Sequence, residues 1–521
     1  MSHQSVITRR DFLGTLRGVA ACSIAGGALN PHVAATGVLA ATEPRPPRSE
    51  AEEIHDRVCL FLDDRFIVEQ SGLVRNWHQG RPLSEPAIVG DSWDQWPHLF
   101  GSVVYDPRWK LYRMWYSSIR EGVFYAESRD GRTWTKPKLG LIDANGSKDN
   151  NWIMARVSLP NVILDANEVD PACRYKLFAW DHAFYMKEPK EERAEGHTLF
   201  CSADGIRWEP AGKGISGSLL ALHERCENFI TPDTNQVIWD DLRNRYLATF
   251  RTYPKRWERG EFEPGRRRSI GITTSQRITG PWQPVVTSVT PDERDDLDAA
   301  NAIGNDRSWA ELYSMPLFTY GNHYIGLLSL IHIGQGPDGA PVANAIGGGD
   351  LQIAFSDDAV KWHRPSERKP LIARVGGSDL HATYAACSAP LEMGDEVWIY
   401  YSEQNSSHPT RVDPKSQIRA AAWRRDGFAS LAAEGPAPGR LRTKPLRFHG
   451  KRLFVNGVGP ITVTLLGEQE AVLGSAELTG DSLRHDVSFG GKHLNEMSPC
   501  HVARLRFTIS EGGRLYSFQT R

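Results

Sequence analysis

Two carboxylates, Asp233 and Glu311, stand at matching places ahead of aromatic segments in a chain that repeats itself. Aligning the segments that begin at Tyr112, Tyr175, Tyr246, Tyr324 and Val397, and stepping back thirteen residues, gives Leu99, Val162, Asp233, Glu311 and Tyr384. Two of these five positions are acidic. Neighbouring carboxyls raise each other's proton affinity, so one can stay protonated while the other is ionised. Glu311 is the expected general acid and Asp233 the expected base or nucleophile, with the roles exchangeable. Each could instead cap a turn or strand by accepting backbone N–H groups. Asp94, Trp96, His98, Asp379 and His381 are the expected substrate contacts. Asp94 sits in Ser92-Trp93-Asp94-Gln95-Trp96, a mixed aromatic and polar loop suited to stacking a ligand ring.

The elements that must position these residues come from the repeat. Ser128-Arg129-Asp130-Gly131-Arg132-Thr133-Trp134 recurs as Ser202-Ala203-Asp204-Gly205-Ile206-Arg207-Trp208 and as Ser356-Asp357-Asp358-Ala359-Val360-Lys361-Trp362, with degenerate copies from Ser275 to Trp282 and at Arg425-Asp426-Gly427-Phe428. Asp-Gly between short alternating runs predicts a hairpin with a primed turn, which needs positive φ at its central residues. Asp130, Asp204, Asp358 and Asp426 are therefore expected as turn residues. Upstream of each copy lies an aromatic, β-branched strand such as Tyr112-Arg113-Met114-Trp115-Tyr116. Ahead of three of these stands another strand, as in Val103-Val104-Tyr105-Asp106 and Val237-Ile238-Trp239-Asp240.

Five such units span 59–431, each with room for four strands, and predict an all-β chain whose five-bladed β-propeller leaves only short protected edges. The rival is a large β-sandwich with accidental repeats. Residues 432–521 alternate apolar and polar residues without the blade motif, which predicts a C-terminal antiparallel β-sandwich.

The N-terminus has a different character. Thr8-Arg9-Arg10-Asp11-Phe12-Leu13, followed by a weakly apolar Ala- and Gly-rich stretch, resembles a twin-arginine export signal over 1–40. The Pro-rich segment 41–58 then serves as a linker. Val19-Ala20-Ala21-Cys22 also resembles a lipoprotein cleavage box. Export by the twin-arginine translocase implies a periplasmic or extracellular protein. No later apolar run is long enough to span a bilayer. The formal charge of −2 over 521 residues argues against a nucleic-acid partner. The cysteines beyond Cys22 are scattered without a Cys-x-x-Cys pair and are expected as buried apolar residues.

A five-bladed propeller followed by a β-sandwich resembles glycoside hydrolase family 32, with family 43 as a more distant likeness. The chain lacks the family 32 Trp-Met-Asn-Asp-Pro-Asn-Gly, Arg-Asp-Pro and Glu-Cys segments in their expected places. The resemblance implies an axial funnel in which carboxylates from different blades converge on a poly- or oligosaccharide, cleaved by one protonated and one ionised carboxyl. It permits an axial calcium ion and demands no cofactor. His98, His381 and His408 lack metal-ligand spacing, Ile346-Gly347-Gly348-Gly349-Asp350 reads as a turn, and Arg266-Arg267-Arg268 reads as a solvated basic loop. The alternatives to a glycosidase are a non-catalytic carbohydrate-binding propeller and a protein-contact scaffold.

Overall fold

The computed structural model describes residues 51–118, 122–165, 168–181, 197–211, 229–253, 267–306, 308–335, 341–343, 350–372, 382–384, 389–404, 416–497 and 502–521. Strands dominate the described residues, as the β-branched and aromatic segments require, and the longest helix among them is Glu293–Ile303. Among the described residues, no helix is long and apolar enough to cross a membrane.

Among the described residues, five sheets follow one another along the chain, and the strand that opens each pairs antiparallel with a later one. In the first, His98–Asp106, Leu111–Ser117, Gly122–Ser128 and Trp134–Thr135 lie in sequence order. The second runs Val157–Leu164, Tyr175–Asp181, His197–Ser202, Glu209–Pro210, and the third Phe229–Asp240, Arg245–Tyr253, Ser269–Ser275, Val286–Val289. The fourth is built on Trp309–Ser314, His323–Gln335 and Asp350–Ser356. The fifth holds Ala382–Tyr384, Glu396–Gln404 and Ser416–Arg424, and its far edge is completed by Arg81–Pro82 and Ile88–Val89 from upstream of the first sheet.

The sheets adjoin in order. Val157–Leu164 lies against both His98–Asp106 and Phe229–Asp240, Phe229–Asp240 touches Trp309–Ser314, Asp350–Ser356 touches Ala382–Tyr384, and Glu396–Gln404 returns to His98–Asp106. Side chains fasten these junctions to the backbone of the neighbour. Val162 N–H donates to Ser102 Oγ at 2.8 Å, Val237 N–H to Asn161 Oδ1 at 2.8 Å, Leu317 N–H to Gln236 Oε1 at 2.6 Å, and Leu99 N–H to Ser402 Oγ at 2.6 Å. All four acceptor residues are buried, so each bond is made away from competing water. Toward the other end of the first strands, Tyr175 O–H donates to Asp106 and Tyr324 O–H to Asp240, again from one sheet to the previous one.

Two further sheets enclose a separate apolar core of Phe61, Phe66, Leu441, Val455, Val463, Phe507 and Phe518. They combine strands from both chain ends: Ile67–Ser71 pairs with Gly439–Thr443, and Leu73–Trp77 pairs with Ala429–Ala433. Cys59–Leu60 joins Arg514–Thr520. Strands within 59–77 therefore share sheets with strands of 429–520.

The Asp-Gly repeats form outer hairpins by a mechanism other than a primed turn. Only the following residue takes positive φ, Gly131 at 70°, Gly205 at 73° and Ala359 at 61°. Asp130 Oδ1 accepts from the N–H groups of Arg132 and Thr133 at 2.8 Å, and Ser128 Oγ accepts from Gly131 N–H at 2.9 Å. Asp204 and Asp358 repeat the arrangement with Ser202 and Ser356. Asp426 departs from it: buried, with its own φ at 61°, it accepts from Tyr320 O–H at 2.9 Å and Ser517 O–H at 2.7 Å. Two cysteines also depart from the apolar expectation, since Cys173 and Cys201 form a disulfide between the turn Pro171–Cys173 and the strand His197–Ser202. Cys59 is free and buried, and burial pushes its thiol far up.

Two predictions follow from these contacts. Ser402→Ala removes the acceptor for a buried N–H and is expected to destabilise the fold by about 1–3 kcal/mol in urea unfolding. The second concerns pH. Burial pushes the carboxyls of Asp130, Asp204 and Asp358 up, but their backbone N–H and serine donors outweigh it and hold all three below the usual range. Because the folded-state values are depressed, the stabilisation is present above the ordinary carboxylate range and lost as pH falls through the depressed values. Changing all three to Ala should cost about 1 kcal/mol per loop at pH 7 and progressively less below about pH 3. A pH-independent difference between variant and parent would remove the carboxylates from this role.

Candidate functional site

Four of the five opening strands share a defect. Their pairing with the second strand shifts register between His98 and Ser102, between Ser158 and Asn161, between Thr231 and Gln236, and between Leu312 and Ser314. Such bulges re-aim side chains and are common beside active sites. The second carries a further signature, since Leu159 has φ of 58°, a costly conformation for a bulky residue, with its N–H donating to Ser117 Oγ.

Beside these bulges, residues of three sheets converge. On Trp309–Ser314 the strand alternation puts Ala310 and Leu312 into an apolar core and Trp309, Glu311 and Tyr313 on the opposite face. Glu311 is 8 % exposed, pairs with Arg268 Nη1 at 2.5 Å and accepts from Trp309 Nε1 at 3.2 Å. Phe100 of the first sheet meets the Tyr313 ring at 5.8 Å between centroids, and the Arg251 guanidinium of the third sheet lies 5.1 Å from the same ring. The aromatic run continues from Phe100 to His98 and from His98 to Trp96, each at 5.7 Å. Ile331 and Ile333 back the group.

The strand that carries Glu311 is itself fixed. Arg267 forms a buried ion pair with Asp296 and also donates to Ala310 O, while Ala310 N–H donates to Asp296 Oδ1 at 3.0 Å. Asp296 comes from the helix Glu293–Ile303, which starts with a reciprocal cap between Asp292 and Asp295. A buried carboxylate with ordered donors beside an aromatic wall can accept hydrogen bonds from ligand hydroxyls and support charge in a reaction. Among the described residues, no group of three or more His, Cys, Asp or Glu side chains is placed to hold a metal ion.

The expected residues are distributed unevenly. Glu311, His98 and Trp96 lie in the aromatic run or on its edge. Asp233 falls in the bulged segment between Thr231 and Gln236, and its side chain is outside the described residues. Asp379, His381, His408 and Arg266 are outside them as well. Asp94 is fully buried, and its oxygens take Tyr116 O–H, Asp91 N–H and Lys136 Nζ, each at 2.6 Å. Burial and the Asp94 charge push the Tyr116 phenol well above its usual range. These contacts make Asp94 an anchor of its loop.

The thirteen-residue alignment fails as a ring. Opposite the fifth residue after each reference position stand His98, Ser158, Thr231, Ser314 and Tyr384, and only Tyr384 belongs to both sets. Leu99 and Val162 are core residues. Bulges and connections of unequal length displace the others. The basic run is not the solvated loop expected for it, because Arg267 and Arg268 are spent on Asp296 and Glu311. The sequence signal for the missed site residues was the alternation Trp309-x-Glu311-x-Tyr313, together with Phe100 two residues beyond His98.

No family model matches the chain, and no curated protein matches it. Solved structures do. A protein named as a glycoside hydrolase is 13% identical over 66% of this chain and 92% of its own, with a TM-score of 0.42. A thermostable family-43 glycoside hydrolase is 12% identical over 69% and 98%, also at 0.42. An N-acetylgalactosamine deacetylase from F. plautii, in complex with blood group B trisaccharide, is 16% identical over 69% and 97%, at 0.37. These are distant likenesses.

The Arg268–Glu311 pair is open to a direct test. Arg268→Met leaves a largely buried carboxylate without its counter-charge and is expected to destabilise by about 3 kcal/mol. Adding Glu311→Gln should recover part of the loss, giving a coupling energy of about 1–3 kcal/mol in a double-mutant cycle by urea unfolding. Strict additivity would mean that the two groups do not interact.

Proposed function

We propose that this chain is an exported carbohydrate-active enzyme of the glycoside hydrolase type, acting on a poly- or oligosaccharide. In this reading the five adjoining sheets are the blades of a five-bladed β-propeller and the two remaining sheets a β-sandwich. Residues 1–40 are a twin-arginine signal and 41–58 a linker. The Cys173–Cys201 disulfide supports the export reading, because such bonds persist in oxidising compartments.

The observation that carries the function is Glu311. It is a largely buried carboxylate on the bulged first strand of its sheet, held by Arg268 and Trp309 beside the Phe100–Tyr313 contact between sheets. An ion-paired carboxylate suits the ionised half of a glycosidase pair, so the roles expected from the sequence are exchanged. Glu311 becomes the base or nucleophile and Asp233, on the neighbouring sheet, the proton donor to the departing oxygen. Aromatic rings from Trp96 to Tyr313 supply the apolar surface against which a sugar ring stacks.

A non-catalytic carbohydrate-binding propeller is favoured by one feature: Glu311 is already engaged by two donors, and the aromatic run would bind a sugar without a second carboxylate.

Reducing-sugar release from a polysaccharide panel by the mature protein separates the two. Glu311→Gln and Asp233→Asn, each still folded by circular dichroism at the assay temperature, should each lower turnover by roughly 10²–10⁴-fold. Unchanged turnover in both variants would place the chemistry elsewhere. Binding without turnover in the parent protein would make it a binding module.

A further inference from the structure

Away from this site, the far ends of the first strands carry aromatic residues that packing does not require. Tyr105 and Trp239 occupy equivalent places in the first and third sheets, each just before a buried Asp, Asp106 or Asp240. Each faces a tyrosine directly across its hairpin, Tyr112 or Tyr246, with ring centroids 4.9 and 5.0 Å apart. Tyr105 and Trp239 are nevertheless both 43% exposed, and Trp109, in the turn of the first hairpin, is 52% exposed. Single exposed apolar residues need no explanation, but this eight-residue hairpin carries two exposed rings, Tyr105 and Trp109, and a partly exposed third, Tyr112.

The flanking residues decide what the cluster fits. Arg108 and Lys110 are exposed on either side of Trp109, and the Arg108 guanidinium lies 5.4 Å from the Trp109 ring. A protein interface of useful affinity needs a contiguous apolar centre far larger than a few rings broken by charges. Flat rings with hydrogen-bond donors at their edges instead match a ligand that has an apolar face and a polar rim. A sugar ring has both.

The geometry points to the Tyr105–Tyr112 hairpin as a surface binding site for a polysaccharide chain, with sugar rings stacked on Trp109 and Tyr105 and their hydroxyls hydrogen-bonded by Arg108. The inference rests on the carbohydrate reading above and extends it to a second place. The strand rise puts Tyr105 roughly 20 Å along the strand from His98, too far for one sugar ring to reach both. The hairpin would hold a long substrate on the protein while the Glu311 site acts on it.

Affinity electrophoresis through gels containing soluble xylan, arabinan, mannan or β-glucan tests this. Retardation by at least one of these is expected for the parent protein and for Glu311→Gln. The double variant Tyr105→Ala/Trp109→Ala should bind roughly tenfold more weakly or worse while its melting temperature stays within a few degrees of the parent. Trp109→Phe, which keeps a ring, should retain most of the retardation. Retardation that survives the double variant but disappears in Glu311→Gln overturns this inference alone and returns all binding to the first site. If no polysaccharide retards the parent protein and none is hydrolysed, the inference and the carbohydrate reading fall together.

Discussion

Buried hydrogen bonds from the side chains of one sheet to the backbone of its neighbour constrain everything else in this protein. Ser102, Asn161, Gln236 and Ser402 each accept an N–H from an adjoining sheet and fix its height and rotation. Apolar packing between twisted sheets is tolerant of small slides, whereas a hydrogen bond made without water is not. The fifth sheet is tied to the first by Ser402, and its far edge is closed by strands from upstream of the first sheet. Relative positions of side chains on different sheets are thereby set, and the contact of Phe100 with Tyr313 depends on it.

The candidate site shows how much support one carboxylate needs. Glu311 is held by Arg268 and Trp309, and its strand is held by Arg267 and Asp296. Asp296 is presented by a capped helix in which the adjacent Asp295 pairs with Arg364. A run of charges that would be solvated on an ordinary loop is here consumed in buried pairs. Removing one member leaves an uncompensated charge, which is why such networks resist piecemeal change.

The two sheets built from both chain ends serve a different purpose. Their core is separate from those of the five sheets, and Asp426 connects the two regions by accepting from Tyr320 on one side and Ser517 on the other. The residue that looked like one more turn aspartate is therefore a buried connector. Its motif shares only Asp-Gly with the copies at Asp130 and Asp204 and lacks the serine two residues earlier that completes the capped loop.

By itself the sequence determined the strand content, the repeat and the outer hairpins, because local alternation and the Ser-x-Asp pattern act within a few residues. Asp130, Asp204 and Asp358 were legible for that reason. Tertiary structure alone decided which residues share a row. Bulges of different length break any fixed spacing, so Leu99 and Val162 fell into the core while Trp309 and Tyr313 came to flank Glu311. It also decided partners distant in sequence: Arg268 for Glu311, Cys201 for Cys173, and upstream strands for the fifth sheet. Side-chain type sets what a residue can bond, but only the meeting of sheets brings the bonding groups within reach.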